Sequence, residues 1–203
     1  MSRTSATLKN QMRSRIAHLA ARMMAEDGIQ DFALAKRKAA RQLGAEDTHN
    51  LPNNAEIEEA LRAYQSLYQG EEQPLRVQAM RLQACEAMRL FSAFNPYLTG
   101  SVLDGTATRH SDINLMLFTD SDKEVEIFLL NKQIPYERGE KRYRFADSPH
   151  TVPVLTLQYG GEADVDVAIF SADDIRLIPR SPAGGRALPR ASLAEVENLL
   201  HAP

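Results

Sequence analysis

A small-residue turn and three spaced carboxylates stand in a pattern that suits phosphate and divalent-cation chemistry. Gly100-Ser101 closes a short apolar run, a loop of small and polar residues follows, and Ser111-Asp112-Ile113-Asn114 opens a second apolar run that reaches Phe118. Gly100 lets backbone approach phosphate oxygens without a Cβ clash, and the Ser101 hydroxyl with neighbouring N–H groups can donate to them. Residues two apart on a strand share a face, so positions 112 and 114 can aim at one place while Ile113 and Leu115 point into a core. Farther on, Ala163-Asp164-Val165-Asp166-Val167-Ala168-Ile169-Phe170 puts two carboxylates on one face of an apolar run. Asp166 is preferred as the partner of Asp112 because it lies deeper in that run, where an unpaired carboxylate is costly. Asp164, nearer Gly160-Gly161, can simply be solvated. The rival reading of the pair is charge placed on an edge strand to discourage pairing with another chain.

These residues resemble the active-site motif of the polymerase-beta-like nucleotidyltransferases, written Gly-Ser, a spacer, then Ser-Asp-x-Asp, with a third aspartate on a later strand. The resemblance covers about residues 94–175. It implies a small mixed sheet flanked by helices and transfer of a nucleoside monophosphate from a nucleoside triphosphate, ATP among them, to an acceptor of unknown identity. It also implies one or two Mg²⁺ ions held by Asp112, position 114 and Asp166, with Asp112 and Asp166 catalytic and Gly100, Ser101 and Ser111 at the nucleotide. Asp166 would further help to deprotonate the acceptor hydroxyl. One position departs from the motif: its second aspartate is Asn114 here. An amide oxygen can still face a metal, but it carries no charge. Two unit charges about 4 Å apart at an effective dielectric near 20 interact by roughly 4 kcal/mol, and a divalent ion doubles this. Either a single ion suffices for a slower or specialised transfer, or the centre is degenerate and binds nucleotide, nucleic acid or a partner protein.

Arg109 and His110, next to Ser111, can contact phosphate or lie solvated in the loop. Asp104 can restore charge or serve as a turn residue before Gly105. Arg138, Lys141, Arg142 and Arg144 form a basic group around a turn, and alternation sets Arg142 and Arg144 on one face with Tyr143 and Phe145 on the other. His18, His49, His150 and His201 have no companions at metal-ligand spacing. The sequence contains no nucleophile elbow, Walker loop or dinucleotide fingerprint.

The elements that must position these residues follow from periodicity. Leu8, Met12, Ile16, Leu19 and Met23 predict a helix from about Ser5 to Glu26, ended by Gly28. Asp31 caps a second through Leu43, stopped by Gly44, and Asn53 or Asn54 caps a third carrying Ile57, Leu61, Tyr64 and Leu67. A fourth begins at Pro74 and runs to about Phe94. Near Pro96 the texture changes: Tyr97–Thr99, Ile113–Phe118, Tyr143–Phe145, Val152–Tyr159 and Val165–Phe170 read as strands, with a helix at Asp122–Gln133. Gly160-Gly161 supplies a hairpin turn between the last two strands. Pro179–Pro189, with Gly184-Gly185, reads as loop, and Ser192 with Glu195 makes a capping box for a last short helix. The expected class is α+β, with an all-helical region over 1–93, the sheet-bearing core over 94–175, and a loop and short helix over 176–203.

Composition bounds the rest. The 203 residues are 43% hydrophobic and 25% charged, ordinary values for a globular chain. No apolar run approaches the roughly 18–20 residues that cross a membrane, so no membrane partner is expected. Cys85 is the single cysteine, which leaves no internal disulfide; it falls among Met80, Leu82, Met88 and Leu90 and reads as a buried thiol. A reducing, cytoplasmic location is the resulting expectation. Net charge is −3, but residues 1–44 carry nine Lys/Arg against three Asp/Glu, +6 within that segment. That basic segment either meets nucleic acid or an acidic protein surface, or is a solvated helix face. Its first residues are Ser/Arg-rich and lack acids, as in a transit peptide, yet the helical pattern continues unbroken through Met23-Met24-Ala25, so the segment is read as part of the fold.

Overall fold

The sheet is built around two strands that are apolar on both faces. In the computed structural model, which describes residues 3–45, 50–68, 70, 72–145, 148–177, 179–180 and 187–201, β2 (Ile113–Thr119) and β5 (Asp164–Ser171) lie side by side and parallel. Strands buried on both faces read as continuous rather than alternating apolar runs, as Leu115–Phe118 and Val167–Phe170 do. Around them the order is β3-β4-β5-β2-β1-β6, with β1 at Tyr97–Thr99, β3 at Glu137–Phe145, β4 at Ser148–Gln158 and β6 at Arg190–Ala191. All pairings except β2 with β5 are antiparallel. The mixed α+β class expected from the sequence is present.

The chain forms two compact units, Met1–Pro74 with Thr108–His110, and Leu75–Ala107 with Ser111–Pro203. The first holds α1 (Arg3–Glu26), α2 (Phe32–Gln42) and α3 (Asn54–Tyr68). Its core is rich in alanine, with Ala20, Ala21, Ala35 and Ala39 fully buried beside Ile16 and Ile57. The expected caps are present: Asp31 accepts from the Leu34 N–H at 2.6 Å, and Asn53 and Glu56 exchange bonds at 2.9 and 2.7 Å as a capping box.

In the second unit one sheet face carries Ile113, Leu115, Leu117, Val165, Val167 and Leu155 against α4 (Glu72–Leu90), α6 (Asp122–Asn131) and α7 (Leu193–His201). Leu75 onward, α4 belongs to this unit, and its buried stripe Met80, Ala84, Ala87 and Met88 includes Cys85, whose thiol is pushed up by burial. A 3-10 turn at Ser92–Phe94 leads into β1. The opposite face carries the aromatic cluster Phe118, Tyr143, Phe145 and Phe170. The β4–β5 hairpin turns at Gly160 (φ 74°), where a Cβ would meet Glu86 Oε2 at 2.7 Å, and α4 fastens the turn by Gln83 Nε2 donating to the Tyr159 and Ala163 carbonyls. Ser192 donates its N–H and hydroxyl to Glu195 at the start of α7, the expected box.

Three strands depart from expectation, β4 by beginning at Ser148 rather than Val152. β3 begins at Glu137 rather than Tyr143, and its first six residues are exposed. It is an edge strand, so hydrogen bonding to β4 rather than burial holds it, and its charges suit an edge. β6 is two residues long and lies between the stretch read as loop and the last helix, where no strand was expected. His49 and Gly184-Gly185 lie outside the described residues. Among the described residues, no helix is long and apolar enough to cross a membrane.

Candidate functional site

β1 ends at Thr99, and the register sets Thr99 beside Asn114, Asn114 beside Asp166, and Asp166 beside Thr156. Four polar residues therefore cross four strands in one row, on the face that farther along becomes the aromatic cluster. Asn114 is the half-buried position of an otherwise buried β2. Asp166 lies in an interior strand, so the edge-strand reading of this aspartate does not apply. Asp164 pairs with Gln158 at the hairpin base, two residues away on the same face.

The turn beside this row depends on one glycine. Gly100 has φ 80° and ψ −159°, a combination essentially confined to glycine, and it caps α5 (Ser101–Asp104). The Asp104 N–H donates to the Gly100 carbonyl at 3.0 Å and the Thr106 N–H to that of Ser101 at 2.9 Å, so the turn is tightly wound. Arg81 on α4 braces its far end, donating to the carbonyls of Val102 and Leu103 at 3.1 and 3.0 Å. Burial lowers the pKa of this guanidinium from its ordinary value. A Cβ on Gly100 would lie 3.7 Å from Asn114 Nδ2, which places the turn directly against the row. Asp104 ends α5 and is exposed.

Each side chain in the row is committed. Asn114 Nδ2 donates to the Asp112 carbonyl at 3.2 Å. Thr156 Oγ1 donates to Asp166 Oδ1 at 2.6 Å, and Lys141 Nζ donates to Asp166 Oδ2 at 2.5 Å and to Asn114 Oδ1 at 3.4 Å. Asp166 is well covered, its side chain 13% exposed, against 44% for Lys141. Tyr143, on the face of β3 that carries Lys141, has its phenol pushed up to about 12, first by burial and then by the negative charge of Asp166. Asp112 and Ser111 are half-buried and immediately precede β2.

The sequence-predicted residues divide accordingly. Gly100, Asn114 and Asp166 come together, with Ser101 opening α5 beside them and Ser111 and Asp112 at the mouth of β2. Arg109 belongs to the first unit, where its guanidinium donates to the Glu26 carbonyl at 3.0 Å and to His110 Nε2 at 2.9 Å. The basic group around β3 is not a single patch: Arg138 is paired with Asp122 and Glu126 of α6, whereas Lys141 reaches Asp166. In the basic segment 1–44, Arg13, Arg22 and Lys36 are held by Glu56, Glu26 and Asn54.

Lys141 is the functional candidate that the sequence reading grouped with its neighbours instead of with the site. The signal was alternation, since Lys141, Tyr143 and Phe145 share one face of β3.

The donor set does not fit a magnesium ion as arranged. Mg²⁺ requires about six oxygens near 2.1 Å in octahedral geometry. Here both Asp166 oxygens are engaged, one by an ammonium group, and the Asn114 oxygen faces the same ammonium. Among the described residues, no three or more His, Cys, Asp or Glu side chains are grouped so as to hold a metal ion.

No protein-family model matches the chain, and no curated protein does. Two solved structures show local likeness. A cytoplasmic RNA terminal U-transferase gives a TM-score of 0.26 and 19% identity over 46% of this chain and 27% of its own. The GLD-2/RNP-8 complex gives 0.29 and 22% identity over 52% and 43%. This chain thus spans less than half the length of either. Likenesses this slight carry no weight for function, which is read from the site's own geometry.

Proposed function

We propose that the chain is a nucleotidyltransferase-type module whose sheet-end site binds a nucleoside triphosphate, and that with Lys141 on Asp166 it binds without transferring. The observation that carries this reading is the Lys141–Asp166 contact at 2.5 Å beside a neutral Asn114. The Gly100-Ser101 turn, wound against Asn114, supplies backbone and hydroxyl donors suited to phosphate oxygens. The residues of this chain then do three things: Gly100 and Ser101 take the phosphates, Lys141 neutralises charge, and Thr156 with Asn114 holds Asp166 and the β2 entry in place.

The rival is the full reaction that the motif resembles: magnesium-dependent transfer of a nucleoside monophosphate to an acceptor, with Asp112 and Asp166 catalytic. What favours it is the adjacency of Asn114 and Asp166 across two parallel strands, which puts the second and third motif positions side by side. Calorimetric titration with each nucleoside triphosphate, with and without Mg²⁺, separates the two. Binding of similar strength in both conditions supports the binding module. Binding that requires Mg²⁺ and disappears in Asp112→Ala and Asp166→Ala gives the site to the transferase. No binding in either condition sinks both.

A further inference from the structure

Lys141 comes from an edge strand and reaches across β4 to a carboxylate on β5, the kind of placement that a simple surface ion pair does not need. We infer that Lys141 is the resident cation of the sheet-end site, taking the place of a divalent ion, so that the site accepts polyphosphate free of metal and excludes divalent ions. The inference deepens the nucleotide-binding reading above and rests on it for the ligand class.

Three features of the row fit together under this assignment. The first is charge. Within the row itself Asn114 and Asp166 together carry one negative charge, and one ammonium, that of Lys141, sits on it. The second is coordination. An ammonium has three donors and no octahedral requirement, and two of them are directed at Asp166 Oδ2 (2.5 Å) and Asn114 Oδ1 (3.4 Å). The third donor suits an anionic ligand oxygen. The last is support: Thr156 fixes the other Asp166 oxygen at 2.6 Å, and Asn114 is fixed through its Nδ2 on the Asp112 carbonyl at 3.2 Å. Lys141 thus meets a preset pair of acceptors. The neutral Asn114 and the cationic Lys141 are matched to each other around one carboxylate.

The experiment uses the whole chain and two probes, Mn²⁺ followed by paramagnetic resonance and inorganic tripolyphosphate followed by calorimetry. Four proteins are compared: wild type, Lys141→Met, Lys141→Arg and Asn114→Asp. Expected are no Mn²⁺ binding below millimolar concentrations in wild type or Lys141→Arg, and Mn²⁺ affinity raised about tenfold or more in Lys141→Met and Asn114→Asp. Tripolyphosphate without metal should bind wild type and Lys141→Arg, and about tenfold or more weaker to Lys141→Met. Equal Mn²⁺ affinity in wild type, Lys141→Met and Asn114→Asp overturns the inference, as does unchanged tripolyphosphate binding in Lys141→Met. Thermal melts report whether each variant folds, and Asn114→Asp keeps the Mn²⁺ test available if Lys141→Met does not. If Mn²⁺ affinity rises as expected while no nucleoside triphosphate binds wild type, the nucleotide reading falls and the cation assignment stands.

Discussion

The helical unit and the sheet end each hold a carboxylate with a basic side chain, and they do it differently. In the helical unit Arg13 grips Glu56 with two parallel bonds of 2.7 and 2.6 Å and gives a third to Asn50 at 2.8 Å. Glu56 also receives the Asn53 N–H at 2.7 Å. This is a planar fork on a planar acceptor, and it locks the α3 cap to α1. At the sheet end a single flexible ammonium meets a carboxylate that is more covered than Glu56, 13% against 37% exposed. The fork engages both Glu56 oxygens and a neighbouring amide, tying three groups of the helical unit together. A lysine covers one oxygen and keeps a donor in reserve. The helical pair has the form of a fastening, whereas the sheet-end pair belongs to the candidate site.

Tyrosines next to carboxylates show the same contrast, and here the largest effect is expected. Tyr64 in the helical unit is raised mainly by its bond to Glu26, while Tyr143 is raised to about 12 mainly by burial. A folded-state value above the ordinary 10 means that the folded protein holds the proton more tightly. Tyr143 therefore contributes stability in full below pH 10, and that contribution is lost as pH rises from about 10 towards 12. Two units correspond to roughly 2–3 kcal/mol. Denaturant melts of wild type and Tyr143→Phe should diverge over that window, with wild type losing more. Parallel curves would mean that the phenol is not shielded by the sheet face, and the sheet end would then resemble the half-exposed helical pair.

How much of this was readable beforehand depends on burial. β2 and β5 could be read because apolar runs broken at 114 and 166 leave a clear trace, and the hairpin and caps because Gly160, Asp31, Asn53 and Ser192 do local work that their residue types reveal. β3 hid its length because Glu137–Arg142 is exposed and charged, so neither face carries a periodic apolar signal. β6 hid because Arg190 and Ala191 are too few to show a period. The stripe of α4 has helical spacing whether it covers other helices or a sheet, so the sequence could not say which core it joins. In the candidate site, Gly100, Asn114 and Asp166 were singled out from a local pattern, and the structure brings the three together. Lys141 sits 25 residues from Asp166 in sequence, and only the strand order brings them into contact.

Gly100→Ala gives the next effect. At φ 80° and ψ −159° a Cβ is strained whatever space surrounds it, and the expected cost is about 1–3 kcal/mol. Because Arg81 holds the far end of α5, the turn can relax mainly at its Gly100 end, against Asn114. Tripolyphosphate binding should weaken together with stability. Loss of stability with unchanged binding would remove the turn from the site and leave Lys141 to carry recognition without it.

The smallest effect falls on the helical pair and completes the comparison. Arg13 holds the Glu56 carboxyl below the usual glutamate range, chiefly through its hydrogen bonds. The sign is the reverse of that for Tyr143: the stability is present above the ordinary glutamate value and is lost as pH falls through the lowered one. Glu56→Gln retains the shape and a bond for the Asn53 N–H but not the charge, so at neutral pH it should cost about 1 kcal/mol, in the range of a weakened cap or a part-exposed ion pair. The gap to wild type should close as pH drops below the glutamate range. Tripolyphosphate affinity should stay at the wild-type value throughout, since Arg13 and Glu56 are engaged with each other and with Asn50 and Asn53 of the helical unit. A change in that affinity would show that the helical pair also serves the ligand, and the division between fastening and site would fail.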